Sequence, residues 1–223
     1  MTDVTPSIIR IQAAEKPQYL MVLLHGVGSS AQAMLDLARS FSNASSGLAI
    51  VVPDAVDPFD GASSGRQWFS VHKITEENRI ERITTALPQV REIIELEAAR
   101  VGLPPKKIIL CGFSQGAILA LHLLSDGFEA AGMIGFSGRL AGPVAERSKW
   151  PFIHMIHGTH DAVIPLQAVR DSATWLKQAG CQAELTEIDG LGHQINSQTI
   201  AIAQKSLVRI FNSEVEVSHA ASA

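Results

Sequence analysis

The sequence contains few cysteines, few aromatic residues and little net charge, and these shortages narrow what the protein can be. Its 223 residues include two cysteines, and aromatic residues make up 5% of the chain. Cys111 and Cys181 lie in apolar or strand-like segments, so we expect buried thiols rather than a disulfide or a metal framework. The formal net charge of −4 gives no basis for binding nucleic acid or an anionic membrane surface.

Long apolar runs are also missing. No segment is apolar over the length needed to cross a bilayer, so we expect no stable insertion into a membrane. Residues 1–17 lack the basic region and apolar core of a signal peptide, which favours a cytoplasmic location. The length fits one domain over residues 1–212. The remaining residues, 213–223, are polar or small, and we expect them to form a disordered tail.

The chain is organised around residues 106–124, whose sequence is KKIILCGFSQGAILALHLL. An apolar strand over residues 108–111 is followed by a G-x-S-x-G motif and then by a helix-forming segment. In that context the two glycines allow a strained turn, which raises the Ser114 hydroxyl above the sheet at the positive end of a helix. A serine-capped tight turn would use the same residue types. The strand before and the helix after favour Ser114 as a catalytic nucleophile.

Segments with the pattern of strands alternate with helical segments along the chain. The strand candidates are apolar runs at residues 19–24, 48–52, 108–111, 130–136, 152–156 and 183–188. Pro88 is expected to end or kink the longest helical segment, residues 75–101, near Leu87. This alternation predicts an α/β fold with a mostly parallel sheet that is covered by helices on both faces. Functional residues then lie at the carboxyl ends of the strands.

Two further strand ends carry residues that can activate Ser114. A serine hydroxyl is a weak nucleophile and needs a base, and His193 follows a strand through a glycine-flanked loop. The base needs a carboxylate, and Asp161 follows the preceding strand. The order Ser114, Asp161, His193 is that of α/β-hydrolases. Asp189 is a rival acid but lies too near His193 in sequence, and a role of Asp161 as a helix cap stays open.

An acyl-transfer site also needs two backbone N–H groups directed at the developing negative charge. We assign one to Gln115, the residue after the nucleophile, and the other to Val27 in the loop of residues 25–28. A simple glycine turn or a phosphate-binding loop would also explain that loop. The lysine and the Ser/Thr that phosphate-binding loops use are missing, which favours the oxyanion role.

A metal site is a further interpretation of the segment that contains His157, His160 and Asp161. No nearby cysteine or glutamate completes a set of ligands around these residues. We therefore expect no metal ion.

Several motifs, taken together and in this order, resemble those of a known family. They are LHGVGS at residues 24–29, GFSQGA at 112–117, HGTHDAVIP at 157–165 and GLGH at 190–193. They are similar to the motifs of the carboxylesterase / acyl-protein thioesterase family, also called the phospholipase–carboxylesterase family. GRQWFS at 65–70 and ITEENR at 74–79 resemble its small bacterial esterase branch. The resemblance covers residues 19–211.

The resemblance implies a compact α/β-hydrolase without a large cap domain and without a cofactor. It assigns the triad to Ser114, Asp161 and His193 and the oxyanion donors to Val27 and Gln115, in agreement with the assignment from the residues alone. It also implies an acyl groove, to which we assign Trp68, Phe69 and Ile164. Plain core packing is the alternative for Trp68. Ser70 stands where thioesterase members often have aspartate, so a general esterase fits better than a protein deacylase.

The sequence therefore predicts a serine carboxylesterase that hydrolyses short- to medium-chain esters of small molecules, with thioesters as a further substrate class. The alternatives are an acyl-protein thioesterase, a lysophospholipase, a peptidase or lactonase, and a non-catalytic binding protein of the same fold. A non-catalytic protein would lack a triad member, and here all three are present. A homodimer stays open.

Overall fold

The computed structural model describes residues 7–220, except for the side chains of residues 213–220. Its strands are β1 (Ile8–Ile11), β2 (Tyr19–Leu24), β3 (Leu48–Pro53), β4 (Asp57–Pro58), β5 (Arg66–Gln67), β6 (Ile108–Phe113), β7 (Gly132–Phe136), β8 (Phe152–Gly158) and β9 (Glu184–Ile188). Its helices are α1 (Leu35–Ser42), α2 (Glu76–Val101), α3 (Gln115–Ser125), α4 (Leu166–Gln178) and α5 (Ser197–Ala220).

A seven-stranded sheet with the order β1-β3-β2-β6-β7-β8-β9 forms the centre of the molecule. β1 pairs antiparallel with β3, and the other neighbouring pairs of this sheet are parallel. The parallel strands place the carboxyl ends of β2, β6, β8 and β9 at one edge of the sheet. The predicted α/β architecture with a mostly parallel sheet is therefore confirmed.

Alternate residues of the central strands face two separate apolar clusters. Leu20 and Val22 belong to the cluster that also contains residues of α2, α3 and α4. Met21 and Leu23 belong to the cluster that contains residues of α1 and α5. Because successive side chains of a strand point to opposite faces, a strand covered on both faces needs apolar residues throughout. The YLMVLL sequence of β2 meets this need, and all six residues are buried.

α2 continues without a break through Pro88, so the alternative in which this helix ends near Leu87 is wrong. A capping box between Thr75 and Asn78 holds its N-terminus, and Gly102 ends it with a φ of 71°. Buried apolar residues on both sides of the proline hold α2 against the core: Ile83, Leu87, Val90 and Ile94. This packing offsets the loss of one helical hydrogen bond at the proline.

α5 extends to Ala220, which corrects the expectation of a disordered tail from residue 213. Residues 212–220 contain neither glycine nor proline, so the segment carries no strong stop for a helix that begins at Ser197. Residues 221–223 lie outside the described residues. Over residues 7–220, no helix combines the length and the apolar character that crossing a membrane requires.

Both cysteines are free and buried, as predicted. Burial raises the pKa of the Cys181 thiol to about 11 and also raises the pKa of Cys111. Both thiols are therefore protonated near neutral pH and are poor nucleophiles. Neither competes with a serine for the chemistry at the carboxyl edge of the sheet.

Candidate active site

Ser114 lies at the turn between β6 and α3, in a backbone conformation that few residues adopt. Its φ is 52° and its ψ is −116°. A Cβ on Gly112 would lie 2.5 Å from the carbonyl carbon of Gly116, and a Cβ on Gly116 would lie 2.2 Å from the carbonyl oxygen of Leu24. No side chain fits at either glycine, which is the steric reason that the motif predicts.

Ser114 is in hydrogen-bond contact with His193, and His193 with Asp161. The Ser114 Oγ lies 2.9 Å from the His193 Nε2, and the His193 Nδ1 lies 2.7 Å from the Asp161 Oδ2. The Asp161 side chain is fully buried, whereas 17% of the His193 side chain is exposed. The imidazole also packs against the ring of Phe113, with 4.9 Å between the ring centroids. Three residues from separate strand ends thus meet, with the histidine between the hydroxyl and the carboxylate.

Backbone N–H groups fix Asp161 through its second oxygen. The Asp161 Oδ1 accepts hydrogen bonds of 2.9 Å from the N–H groups of Val163 and Ile164. Burial alone would raise the pKa of Asp161, but the hydrogen bonds from Ile164, His193 and Val163 together lower it below its usual value. The carboxylate is therefore ionised where it faces His193. The rival acid Asp189 accepts a hydrogen bond of 3.2 Å from a threonine hydroxyl instead.

The predicted oxyanion donors are Gln115, which directly follows the nucleophile, and Val27, which follows a residue that packs against it. Gln115 is the first residue of α3, where N–H groups have no partner within the helix. Gly26 packs against the nucleophile, because a Cβ there would lie 3.3 Å from the Ser114 Cβ, and Val27 is the next residue along the chain. Within residues 7–220, the N–H groups of Val27 and Gln115 donate no hydrogen bond, so both can bind a negatively charged oxygen.

The loop that carries Val27 is held by the segment around β5. The Gly28 N–H donates to the Arg66 carbonyl at 2.8 Å, and the Arg66 N–H donates to the Ser29 carbonyl at 2.9 Å. Gly65 allows this close approach, because its φ is 87° and a Cβ there would lie 2.2 Å from the Gly28 oxygen. The segment around β5 therefore fixes the position of the Val27 N–H relative to Ser114.

The side chain of Gln115 binds the residues that follow β5. Its Oε1 accepts a hydrogen bond of 2.9 Å from the Trp68 N–H, and its Nε2 donates one of 2.7 Å to the Phe69 carbonyl. The Trp68 indole N–H donates to the His25 carbonyl at 2.9 Å, directly before the loop that carries Val27. The Gln115 side chain is thus linked, through Trp68, to the loop that carries the other oxyanion donor, Val27. The G-x-S-x-G motif predicts only the role of the Gln115 backbone N–H. The large amide side chain at this buried position is the sequence signal for the second role, which is to hold Trp68 and Phe69.

Trp68, Phe69 and Ile164 are buried in the larger core cluster, which corrects their assignment to an open substrate groove. They are 3%, 6% and 7% exposed. The hydrogen bonds of Trp68 and Phe69 to Gln115 and His25 draw that segment into the core, which favours the packing role for Trp68. Three apolar residues around the oxyanion loop remain only half-buried: Val27, Phe59 and Phe113.

The histidines near Asp161 do not point at a common metal position. The His157 Nε2 lies 2.9 Å from the Ile164 carbonyl oxygen, and His160 is exposed. Within the described part of the chain, no group of three histidine, cysteine or acidic side chains could hold a metal ion. α4 begins at Leu166, so Asp161 does not cap it.

The sequence matches the family model for phospholipases and carboxylesterases over residues 7–210. The chain belongs to this family. It is 34% identical to esterase YpfH of Escherichia coli strain K12 over 195 residues, which cover 86% of this chain and 84% of that protein. It is 30% identical to acyl-protein thioesterase 1 of Eremothecium gossypii over 210 residues, which cover 86% of this chain and 88% of that protein.

A solved structure of an esterase has the same fold as this chain. The crystal structure of esterase PE8 matches with a TM-score of 0.85 and 28% identity, over 93% of this chain and 100% of that one. The predicted family and the predicted α/β-hydrolase fold are therefore confirmed. The protein is a serine hydrolase of the carboxylesterase class.

Replacing Gln115 by leucine tests its contacts with Trp68 and Phe69. The variant keeps the backbone N–H of residue 115, so activity should fall only through the loosened support of Val27. We expect kcat to fall by about 10- to 100-fold with little change in KM, since misplaced donors weaken transition-state binding. The measurement is steady-state hydrolysis of p-nitrophenyl butyrate. Gln167→Leu, on the exposed face of α4, is the matched control. Equal kcat values in the two variants would contradict this role.

Proposed function

We propose that the protein hydrolyses short- to medium-chain carboxylic esters of small molecules through an acyl-enzyme on Ser114. The observation that carries this proposal is the contact of the Ser114 Oγ with the His193 Nε2, at 2.9 Å. A serine hydroxyl becomes a good nucleophile when an adjacent base accepts its proton. The two unpaired N–H groups beside it supply the stabilisation that a tetrahedral intermediate needs.

The proposed reaction has two steps. In the first, the Ser114 Oγ attacks the ester carbonyl while the His193 Nε2 accepts its proton, and the N–H groups of Val27 and Gln115 bind the oxyanion. Collapse of this intermediate breaks the bond to the alcohol, which takes the proton from His193. In the second step, water attacks the acyl-enzyme and gives its proton to His193; the bond to the Ser114 Oγ then breaks, Ser114 takes the proton from His193, and the acid is released. Asp161 stabilises the imidazolium in both steps.

The surroundings of Ser114 support a preference for short to medium acyl chains. The half-buried side chains Val27, Phe59 and Phe113 offer a limited apolar surface beside the oxyanion loop. Trp68 and Phe69 are taken up by the core and add little to this surface. Binding improves only while each added methylene is removed from water, by about 0.8 kcal/mol for each.

A series of p-nitrophenyl esters from acetyl to palmitoyl tests this preference. We expect kcat/KM to rise over the first few carbons and then to level off or fall. Phe59→Ala should flatten the rise, because it removes apolar surface that packs on Gly28 of the oxyanion loop. Leu96→Ala is the control, since Leu96 is exposed on α2. Values that continue to climb up to palmitoyl esters would refute the proposed chain-length range.

An acyl-protein thioesterase is the second candidate, and the likeness to the Eremothecium gossypii protein supports it. The Ser70 hydroxyl donates to the Asp60 carboxylate and accepts from the His72 N–H at 3.2 Å, so it is held within its own loop. Esters and thioesters with the same acyl group separate the two candidates. Higher kcat/KM for the oxygen ester supports the esterase, and a strong preference for long-chain acyl-cysteine peptides supports the thioesterase.

We further propose that the protein acts in the cytoplasm. Its two cysteines are free, which suits a reducing compartment. Fractionation of cells that express the chain with a small tag tests this location. Light scattering on the purified protein separates a monomer from a homodimer.

A further inference from the structure

His157 is a fully buried histidine at the carboxyl end of β8 that the proposed mechanism leaves without a role. Its side chain has no exposed surface. The His157 Nε2 lies 2.9 Å from the carbonyl oxygen of Ile164 and 3.5 Å from the Asp161 Oδ2. Because a carbonyl oxygen only accepts hydrogen bonds, the Nε2 carries the proton and donates to Ile164.

The other ring nitrogen of His157 shows that the ring is neutral. Its Nδ1 is buried and has no hydrogen-bond partner among the described residues. A proton on this nitrogen would be a buried donor without an acceptor, which is costly. Burial also lowers the pKa of His157, and the nearby His193 lowers it further. The Ile164 carbonyl and the carboxylates of Asp161 and Glu187 favour the charged form, but they do not outweigh burial.

An apolar ring would fill this place without an unpaired nitrogen. A buried acceptor without a partner destabilises the folded state, so a histidine that merely filled space would weaken the fold. The gain must come from its Nε2–H, which binds Ile164. The N–H of this same Ile164 holds the Asp161 Oδ1 at 2.9 Å.

We propose that His157 is a positioning residue that holds the turn of residues 161–164 so that the Asp161 Oδ2 faces His193. The inference rests on the triad of the proposed function. His157 binds the carbonyl of Ile164, and the N–H of Ile164 binds one carboxylate oxygen. The Asp161 Oδ2 is thereby left directed at the His193 Nδ1, 2.7 Å away. His157 therefore acts on the reaction only through Asp161.

Two substitutions separate the hydrogen bond from the space that the ring fills. His157→Phe keeps a ring but removes the donor, and we expect kcat to fall by about 10- to 100-fold with KM nearly unchanged, the range that a misplacement of ~1 Å costs. His157→Gln can present an amide N–H at a similar reach, and it should recover most of the lost kcat.

His154→Phe is the matched control on the same strand. His154 is also buried, but it contacts Ser206 and Thr186, at 2.5 and 2.7 Å, rather than the turn that holds Asp161. This variant should destabilise the fold while leaving the kcat of the remaining folded enzyme unchanged. The same fall in kcat in both variants, or no recovery of kcat in His157→Gln, would reduce His157 to a structural role.

The decisive measurement is a double-mutant cycle between His157→Phe and Asp161→Asn. If His157 acts through Asp161, His157→Phe costs nothing further in kcat/KM once Asp161→Asn is present. Additive losses, or a His157→Phe variant with the parent's kcat, would overturn the inference. An Asp161→Asn variant with the parent's activity would instead overturn the proposed triad, so the two failures are distinguishable.

Discussion

Ser114→Ala should lower kcat by about 10⁶-fold, the size of loss seen when the nucleophile of such a triad is removed. The hydroxyl is the atom that forms the bond to the acyl group, and no neighbouring group can replace it, because both thiols are buried and protonated. The expected stability is close to that of the parent. Alanine keeps the Cβ that the backbone of this position, with its φ of 52°, already accommodates. Hydrolysis of p-nitrophenyl butyrate and thermal unfolding measure the two effects.

Ser137→Ala provides a matched control for this result. Ser137 is a buried serine at the end of the neighbouring strand β7, and its φ of 50° is nearly that of Ser114. It shares the strained backbone but has no histidine within hydrogen-bond distance among the described residues. This variant should keep most of the parent's activity. If Ser137→Ala lost activity and Ser114→Ala retained it, Ser137 would be the nucleophile and the assignment of Ser114 would be refuted.

Asp161→Asn should give a folded enzyme with kcat lowered by about 10⁴-fold, as for the acid of other triads. The amide has nearly the shape of the carboxylate, but it cannot stabilise an imidazolium. Its NH₂ group, placed toward the His193 Nδ1, favours the tautomer that carries the proton on Nε2. That tautomer cannot accept the proton of Ser114. Steady-state kinetics with circular dichroism separate a catalytic defect from unfolding.

Asp189→Asn is the control for the carboxylate. Asp189 is exposed and binds Thr159, so its replacement should leave kcat within a few-fold of the parent. The opposite result, a large loss for Asp189→Asn and a small one for Asp161→Asn, would make Asp189 the acid.

The fold and the triad can be predicted from the sequence because both follow from local patterns. The apolar runs identify the strands, and the parallel arrangement brings their carboxyl ends to one edge. Ser114 follows such a run directly, and Asp161 and His193 follow one through short loops, so their convergence needs no knowledge of side-chain packing. The glycines around Ser114 add a steric signal of the same local kind.

The roles of Trp68 and Pro88 depend instead on contacts between residues far apart in the chain. An aromatic residue in a long loop suits a substrate groove as well as a core, and the burial of Trp68 together with the hydrogen bond of its indole to His25 favours the core. Pro88 stops an isolated helix, but packing of α2 on both sides of it holds the helix together. Such tertiary contacts outweigh the conformational preferences of single residues, and they leave no pattern in the local sequence from which they could be predicted.

Ser114 is expected to carry the acyl group during turnover. Mass spectrometry of the enzyme quenched during hydrolysis of p-nitrophenyl butyrate, followed by peptide mapping, tests this expectation. We expect one butyryl group for each chain, bound to Ser114 in the peptide GFSQGA, and none in Ser114→Ala. A butyryl group on another residue, or undiminished turnover by Ser114→Ala, would exclude Ser114 as the nucleophile.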